Sequence, residues 1–408
     1  MPSFSDCPIV VTGLGAVTAI GAGREAFWQG LIEGKSGIRP LELFDPAAYR
    51  TQTAAWIDEA ALDLSFLGPR DRQRTSRADR FALAATREAI ADAGLELGSL
   101  PPERLAVVLG SGAGGLIEAE EWFGKVALSG RLGQVREILA HGPDLVTNRV
   151  ASWLGARGIR STVVTACSSS TLSVGQAADL LRAGLADVVV TGGSDSLARL
   201  TYGGFNSLRA VDPDPCRPFD RERKGLSVGE GAGILVLERE VDARRRGARW
   251  YCRVAGYGST SDAYHMTAPE PSGAAGARAL TSALESAGID ASAVDYVNAH
   301  GTATPHNDRA EAAALHHVFG ARAARLPTSS IKSMIGHCLC SAGAVEAVAT
   351  CLTVQRGVLP PTLRWESPDP ECPLDVVPNV AREQEVRVAL SSSFAFGGNS
   401  ACLVLSAE

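Results

Sequence analysis

The chain has 408 residues, a net charge of −6, 45% hydrophobic residues and 21% charged ones. That composition is globular, long enough for one large layered unit or two fused halves, and it excludes a disordered chain. The acidic balance argues against nucleic acid and no apolar run nears the roughly 18 residues of a membrane span; nine scattered cysteines form no disulfide framework, so a cytoplasmic, reducing compartment is expected.

The start, from Met1 to Asp6, lacks the basic residues and apolar stretch of a signal peptide. Short apolar strands are predicted at 8–13, 105–110, 162–166, 187–192 and 233–237, each buried on both faces. Helical spacing over 80–93 stops at Gly94, and over 168–183 at Gly184; a glycine suits the left-handed residue that closes a helix. A strand over 294–299 leads into a polar loop, where Asp308 with Glu311 reads as an N-cap pair for a helix running to Phe319. A small-residue helix covers 341–355. Strands alternating with helices predict an α/β fold with covered sheets.

A weak repeat runs through this pattern. Residues 11–15 resemble 254–258, and 233–237 resemble 401–405, as if each pair opened and closed one half. The division falls near residue 250, and nothing reads as a flexible linker.

Four segments carry chemistry. Cys167 sits where a β-branched strand meets a helix start, a place where the helix dipole favours a thiolate and small neighbours leave the sulfur open to attack. His300 ends a strand, where α/β proteins present reactive groups. Lys332 and His337 precede the small-residue helix, where backbones approach closely. Phe394, Phe396 and the glycines after them form a bend that can aim backbone N–H groups inward. Taken singly, Cys167 also fits a small buried hydrophobe and His300 a structural histidine. His306, His316 and His317 read as loop or helix-surface residues. Cys338 and Cys340 follow His337, yet no second ligand pair at zinc spacing appears, so no metal site is expected.

Together, Thr165 to Ser169, His300 to Pro305, Lys332 to His337 and Phe394 to Gly398 resemble the elongating β-ketoacyl-[acyl-carrier-protein] synthases of the bacterial type II kind. Supporting segments are Gly110 to Gly115, Arg217 to Asp220 leading to Gly229 to Gly233, and Ser261 to Pro269, so the likeness covers nearly the whole chain. It implies the thiolase fold: two similar halves, 1–250 with the nucleophile and 251–408 with histidine, lysine and histidine, in a five-layer α-β-α-β-α sandwich.

The resemblance also implies a mechanism. Cys167 takes an acyl group as a thioester, its oxyanion held by the N–H groups of Cys167 and Phe396. His300 and His337 donate to a malonyl thioester as carbon dioxide leaves, and Lys332 fixes their geometry. Thr302 and Thr304 match positions that bind the phosphopantetheine arm. Phe396 and Phe205 match gating aromatics, and Phe394 lines the substrate site. Ala113 stands where a larger residue often floors the acyl pocket, which predicts long or rigid acyl chains. No metal or redox cofactor is implied, because the arm arrives on the carrier.

An acidic carrier protein would dock on a basic rim, with Arg70, Arg72, Arg74, Arg77 and Arg209 as candidates. The run at Arg244, Arg245, Arg246 and Arg249 reads instead as a solvated helix face. The family is dimeric, as a homodimer or with a related chain-length factor. Ser170, Lys224, Cys340, Ala395 and the Asn399-Ser400 pair depart from the usual pattern, which favours a specialised type II polyketide or polyene pathway over housekeeping fatty acid synthesis. A chain-length factor would lack the nucleophile, and a starter-type synthase would carry asparagine in place of one histidine. A thiolase-like enzyme acting on coenzyme A esters would need a second basic cysteine, where Cys402 lies within a strand pattern. A plain binding module would need none of these residues in this order.

Overall fold

The computed structural model describes residues 3–131, 133 and 141–407. The first half contributes β1 (Ile9–Thr18), β2 (Leu105–Gly110), β3 (Arg160–Val163), β4 (Val188–Asp195) and β5 (Gly231–Arg239). The second contributes β6 (Arg253–Ser261), β7 (Tyr296–Asn298), β8 (Pro327–Ser329), β9 (Val388–Phe394) and β10 (Asn399–Ser406). The strand orders are β1-β5-β4-β2-β3 and β6-β10-β9-β7-β8. In each half the first two pairings are antiparallel and the last two parallel.

The match extends to register. Gly13 pairs with Val236 and Gly256 with Val404, and in each case one unpaired residue, Thr12 or Ala255, bulges just before the glycine. The repeated sequence motif therefore occupies the same place in both halves. Its glycines serve one physical purpose. A Cβ on Gly15 would lie 1.9 Å from the carbonyl oxygen of Ala85, and one on Gly258 2.4 Å from that of Ala279. Both carbonyls belong to outer helices, α1 (Arg77–Asp92) and, in the second half, Ala274–Ala287, which rest directly on bare strand backbone.

The two strand sets join where β1 pairs antiparallel with β6, at Ile9–Val254 and Val10–Arg253, and elsewhere part as two sheet layers; between them lie α2 (Ser169–Arg182) and a partner from the second half, Ala342–Arg356. With the second half's outer helices named α3 (Ala274–Ala287) and α4 (Pro305–Phe319), the partner is α5, and the layers run helix, sheet, helix, sheet, helix. α2 and α5 almost touch. A Cβ on Gly343 would meet the Thr171 hydroxyl at 1.9 Å, and Ser170 Oγ accepts the N–H of Ala344 at 2.9 Å. The serine that departs from the family pattern thus satisfies a free N–H in the first turn of α5. The largest apolar cluster draws Ile9, Val11, Val174 and Leu235 from one half and Val345, Val348, Leu403 and Leu405 from the other, so the halves share one core.

Three expectations need correction. The strand predicted at 162–166 is Arg160–Val163, an edge strand with partly exposed faces, because residues 164–168 leave it to form a tight turn. The strand predicted at 294–299 shortens to Tyr296–Asn298. Helix α4 starts at Pro305 rather than after Asp308: proline suits the first helical position, where no N–H partner is needed. Among the described residues no helix is long and apolar enough to cross a membrane.

Candidate active site

Residues 164–168 carry the chain from the end of β3 into α2. Ala166 sits at φ 50°, a left-handed conformation costing a non-glycine residue roughly 1 kcal/mol or more. The turn is held by Thr165 N–H on Ser169 Oγ at 2.9 Å and by Ser169 Oγ–H on the Ala166 carbonyl at 2.6 Å. Cys167 stands at its apex, buried.

His300 arrives from the end of β7 and His337 from the segment between β8 and α5. The Cys167 sulfur and one nitrogen from each ring lie within 4.8 Å of one another. The two rings meet edge to face, centroids 5.3 Å apart at 87°. A glycine flanks each histidine, Gly301 after His300 and Gly336 before His337. A Cβ on Gly336 would press on the Val228 carbonyl at 2.9 Å, and one on Gly301 would sit 2.5 Å from the Ser330 Cβ.

The hydrogen bonds assign the protons. Lys332 Nζ lies 3.2 Å from His300 Nδ1, and an ammonium can only donate, so Nδ1 accepts and Nε2 carries the hydrogen. The N–H of Leu339 donates to His337 Nδ1 at 3.2 Å, which leaves that ring its hydrogen on Nε2 as well. Lys332 is buried and pairs with Glu346, also buried. Burial, reinforced by the charge of Lys332, holds both imidazoles well below their ordinary value and therefore neutral. Two neutral N–H donors thus face one sulfur.

The carboxylates read as a helix cap do something else. Glu311 accepts the N–H groups of His300 and Gly301, each at 2.7 Å, and the Ser392 hydroxyl at 2.8 Å. Asp308 accepts from Phe219 N–H at 2.8 Å and Ala303 N–H at 3.1 Å. Both are buried, and they pin the His300 loop instead of starting a helix. Burial pushes Glu311 up to about 7.

The thiol runs against expectation. Burial raises Cys167 to about 11, while Lys332 and the backbone N–H groups of Phe396 and Cys167 pull the other way without prevailing. Desolvation outweighs the lowering anticipated from the helix start. The same two N–H groups are the pair expected to hold an oxyanion.

A cavity of about 450 Å³ opens onto these groups. Phe205, Phe394, Phe396, Thr302 and Thr304 line it with Cys167, His300 and His337. Phe205 and Phe396 stand 5.7 Å apart, and the two threonine hydroxyls 2.9 Å. Arg209 also lines it, together with Lys224 and His306, which sequence reasoning left without a role.

Other candidates lie elsewhere. Ala113 does not line this cavity: its loop is gripped by buried Asp195, which accepts the N–H groups of Gly112, Ala113 and Gly114. Arg70, Arg72 and Arg74 are exposed but do not line it. Arg77 is no rim residue, being buried against Glu230. Arg244, Arg245 and Arg246 are exposed and ion-paired with Glu240, Asp242 and Glu238. Cys338 faces the Glu230 carbonyl, and Cys340 packs on Gly112, so the sulfurs after His337 do not gather with it.

A buried thiol at a helix start, two backbone N–H groups beside it and two neutral imidazoles opposite define a cysteine-dependent acyltransferase on a two-half, five-layer scaffold. Comparison with known proteins is more specific. Residues 6–243 match the beta-ketoacyl synthase N-terminal domain and residues 251–366 its C-terminal domain, and the chain belongs to the β-ketoacyl synthase family. It is 40% identical to the tetracenomycin polyketide synthase ketoacyl synthase alpha subunit of Streptomyces glaucescens, over 99% of this chain and 98% of that one. It is 37% identical to the 3-oxoacyl-[acyl-carrier-protein] synthase 2 of Staphylococcus aureus, over 97% of each. The solved ishigamide ketosynthase/chain length factor superposes with a TM-score of 0.93 at 35% identity, covering 98% of this chain and 99% of that one, which gives the chain its thiolase fold.

Proposed function

We propose that the protein joins an acyl group to a malonyl unit by decarboxylative Claisen condensation, both delivered on an acyl carrier protein. The convergence of one sulfur with two imidazoles whose Nε2–H groups point at a common space carries this reading. Cys167 attacks the acyl thioester; the acyl–sulfur bond of the carrier breaks, and the thiol proton leaves with the released pantetheine thiol. The malonyl thioester then loses carbon dioxide, and its enolate attacks the acyl-cysteine, breaking the acyl–sulfur bond and freeing Cys167 as a thiolate that takes a proton from solvent. His300 and His337 donate to the thioester oxygen as it gains charge, and Lys332 with Glu346 fixes the His300 tautomer. The halves 1–250 and 251–408 share the work, the first supplying the thiol and the second the imidazoles and the lysine.

Thr302 and Thr304 suit the amides of the pantetheine arm, and Phe205, Phe394 and Phe396 the acyl chain behind it. Arg209 lines the mouth and suits an acidic carrier, while Arg70, Arg72 and Arg74 are exposed enough to extend that contact. A second subunit, either another copy or a chain-length factor, fits an apolar groove of about 720 Å³ lined by Tyr49, Leu116, exposed Phe123 and exposed Leu200. Nine free thiols suit a reducing cytoplasm. The chemistry calls for no metal or redox cofactor, since the carbanion comes from decarboxylation. The similarity to a polyketide alpha subunit and the departures at Ser170, Lys224, Cys340 and Asn399 support type II polyketide or polyene elongation.

Intact mass after mixing with an acyl carrier protein loaded with short, long, unsaturated or aryl acyl groups tests the reading. An acyl adduct is expected on the wild type and absent from Cys167→Ala, whose loading falls by at least about 10³-fold. No adduct from any acyl donor would reject the function.

A further inference from the structure

The turn that presents Phe396 is closed by its own backbone. Ala395 N–H donates to the Asn399 carbonyl at 2.8 Å, and Gly398 N–H to the Ala395 carbonyl at 3.1 Å. Gly397 and Gly398 adopt φ of 84° and 78°, which only glycine takes without strain. On one side this turn rests on the 262–270 segment, through Gly397 N–H to the Met266 carbonyl at 2.8 Å and Asp262 N–H to the Gly398 carbonyl at 2.9 Å. On the other side it meets the nucleophile turn through a side-chain contact, Ser168 Oγ to Asn399 Oδ1 at 2.8 Å.

Ser168 directly follows Cys167 and is fully buried. Its hydroxyl also lies 2.9 Å from the Thr165 carbonyl and 3.1 Å from Thr165 Oγ1. A hydroxyl has one proton and two acceptor sites. If the proton goes to the Thr165 carbonyl, the Asn399 amide satisfies the contact by turning its NH₂ toward Ser168. The amide, being both donor and acceptor, fits either arrangement. The contact therefore ties together two segments far apart in sequence, each supplying one of the backbone N–H groups beside the Cys167 sulfur.

We infer that the Ser168–Asn399 hydrogen bond is a clasp that sets the spacing of the Cys167 and Phe396 N–H groups, which makes Asn399 a positioning residue for acyl transfer. The inference rests on the function proposed above. Two steps build negative charge on the acyl oxygen next to Cys167: loading of the thiol and attack by the enolate. Loss of carbon dioxide builds it on the malonyl oxygen that faces His300 and His337. A slack clasp therefore slows loading and condensation and spares decarboxylation, whereas general damage to the site slows all three.

The test uses the full chain and follows two reactions: loading from an acyl carrier protein by quenched intact mass, and carbon dioxide release from a malonyl carrier protein. Asn399→Ala is expected to load about 10- to 100-fold more slowly, with carbon dioxide release within about twofold of the wild type. Asn399→Thr, which offers Ser168 a hydroxyl in place of the amide, is expected to recover at least threefold of that loss. Ser168→Ala is expected to repeat the pattern, and the double variant to be no slower than the worse single one, as coupled partners require. Wild-type loading in Asn399→Ala, or equal losses of loading and carbon dioxide release, would overturn the clasp while the functional reading stands. A wild type that neither loads nor releases carbon dioxide would overturn the functional reading and the clasp with it.

Discussion

The two halves of this molecule are alike in their scaffold and unlike at one junction. In both, strand order, pairing direction, the bulge before the paired glycine and the outer helix on bare backbone coincide. The junction between the third strand and the central helix differs. In the first half residues 164–168 make a strained turn that lifts Cys167; in the second, residues 330–341 make a longer path that places Lys332 and His337. Corresponding places in the repeat thus deliver the nucleophile from one side and one of the two donor imidazoles, His337, from the other, while His300 comes from the end of β7. The shared scaffold fixes where the junctions meet, and the unlike junctions set what they do there.

The two sides are not interchangeable. Replacing His300 by alanine is expected to slow carbon dioxide release by about 10²- to 10³-fold, roughly 3–4 kcal/mol, while loading of Cys167 falls far less. Equal losses in both reactions would deny the division of labour. On the scaffold, Gly15→Ala and Gly258→Ala are expected to cost similar stability, about 1–3 kcal/mol each, because each adds a methyl against a helix carbonyl. Denaturant unfolding would check this, and a neutral variant in either half would show that the repeat is not under the same packing constraint.

A smaller effect concerns Glu311, raised by burial from an ordinary 4.5 to about 7. The folded carboxyl holds its proton more tightly than the unfolded one, so its contribution is full below pH 4.5 and is lost as pH rises through 7. Thermal unfolding of Glu311→Gln is expected to show a flatter change between pH 5 and 8 than the wild type, by no more than a few kcal/mol. An unchanged profile would put the titrating group elsewhere. Smallest of all is the effect of pH on carbon dioxide release. With both imidazoles held neutral well below pH 6.5, its rate is expected to vary less than about twofold from pH 8 to 6. A fall centred near pH 6.5 would mean that a ring protonates in that range.

The sequence was most legible where one residue served one purpose. The repeat at 11–15 and 254–258 marked the strand that opens each half, and small residues at 341–355 marked a helix where backbones approach closely. It was less legible where a residue could serve two. Asp308 and Glu311 have the spacing of a helix cap, yet they fold back on the His300 loop because Pro305 already starts the helix. Arg77 looked like part of a basic rim, but its partner, Glu230, lies 153 residues away and buries it. Glu346, the partner of Lys332, left a trace that could have been followed: α5 carries no other acidic residue, and a buried carboxylate in such a helix demands a cation. The thiol at Cys167 shows the limit most clearly, since its raised value follows from burial that no local motif encodes.

One small hollow holds a thiol for the acyl group and two imidazoles for the malonyl group, each serving its own step. Carbon dioxide release from a malonyl carrier protein, measured side by side for Cys167→Ala and His337→Ala, addresses it directly. Release is expected to persist when only the sulfur is gone and to drop by about two orders of magnitude or more when the imidazole is gone. Release that vanishes with the sulfur and survives without the imidazole would contradict it.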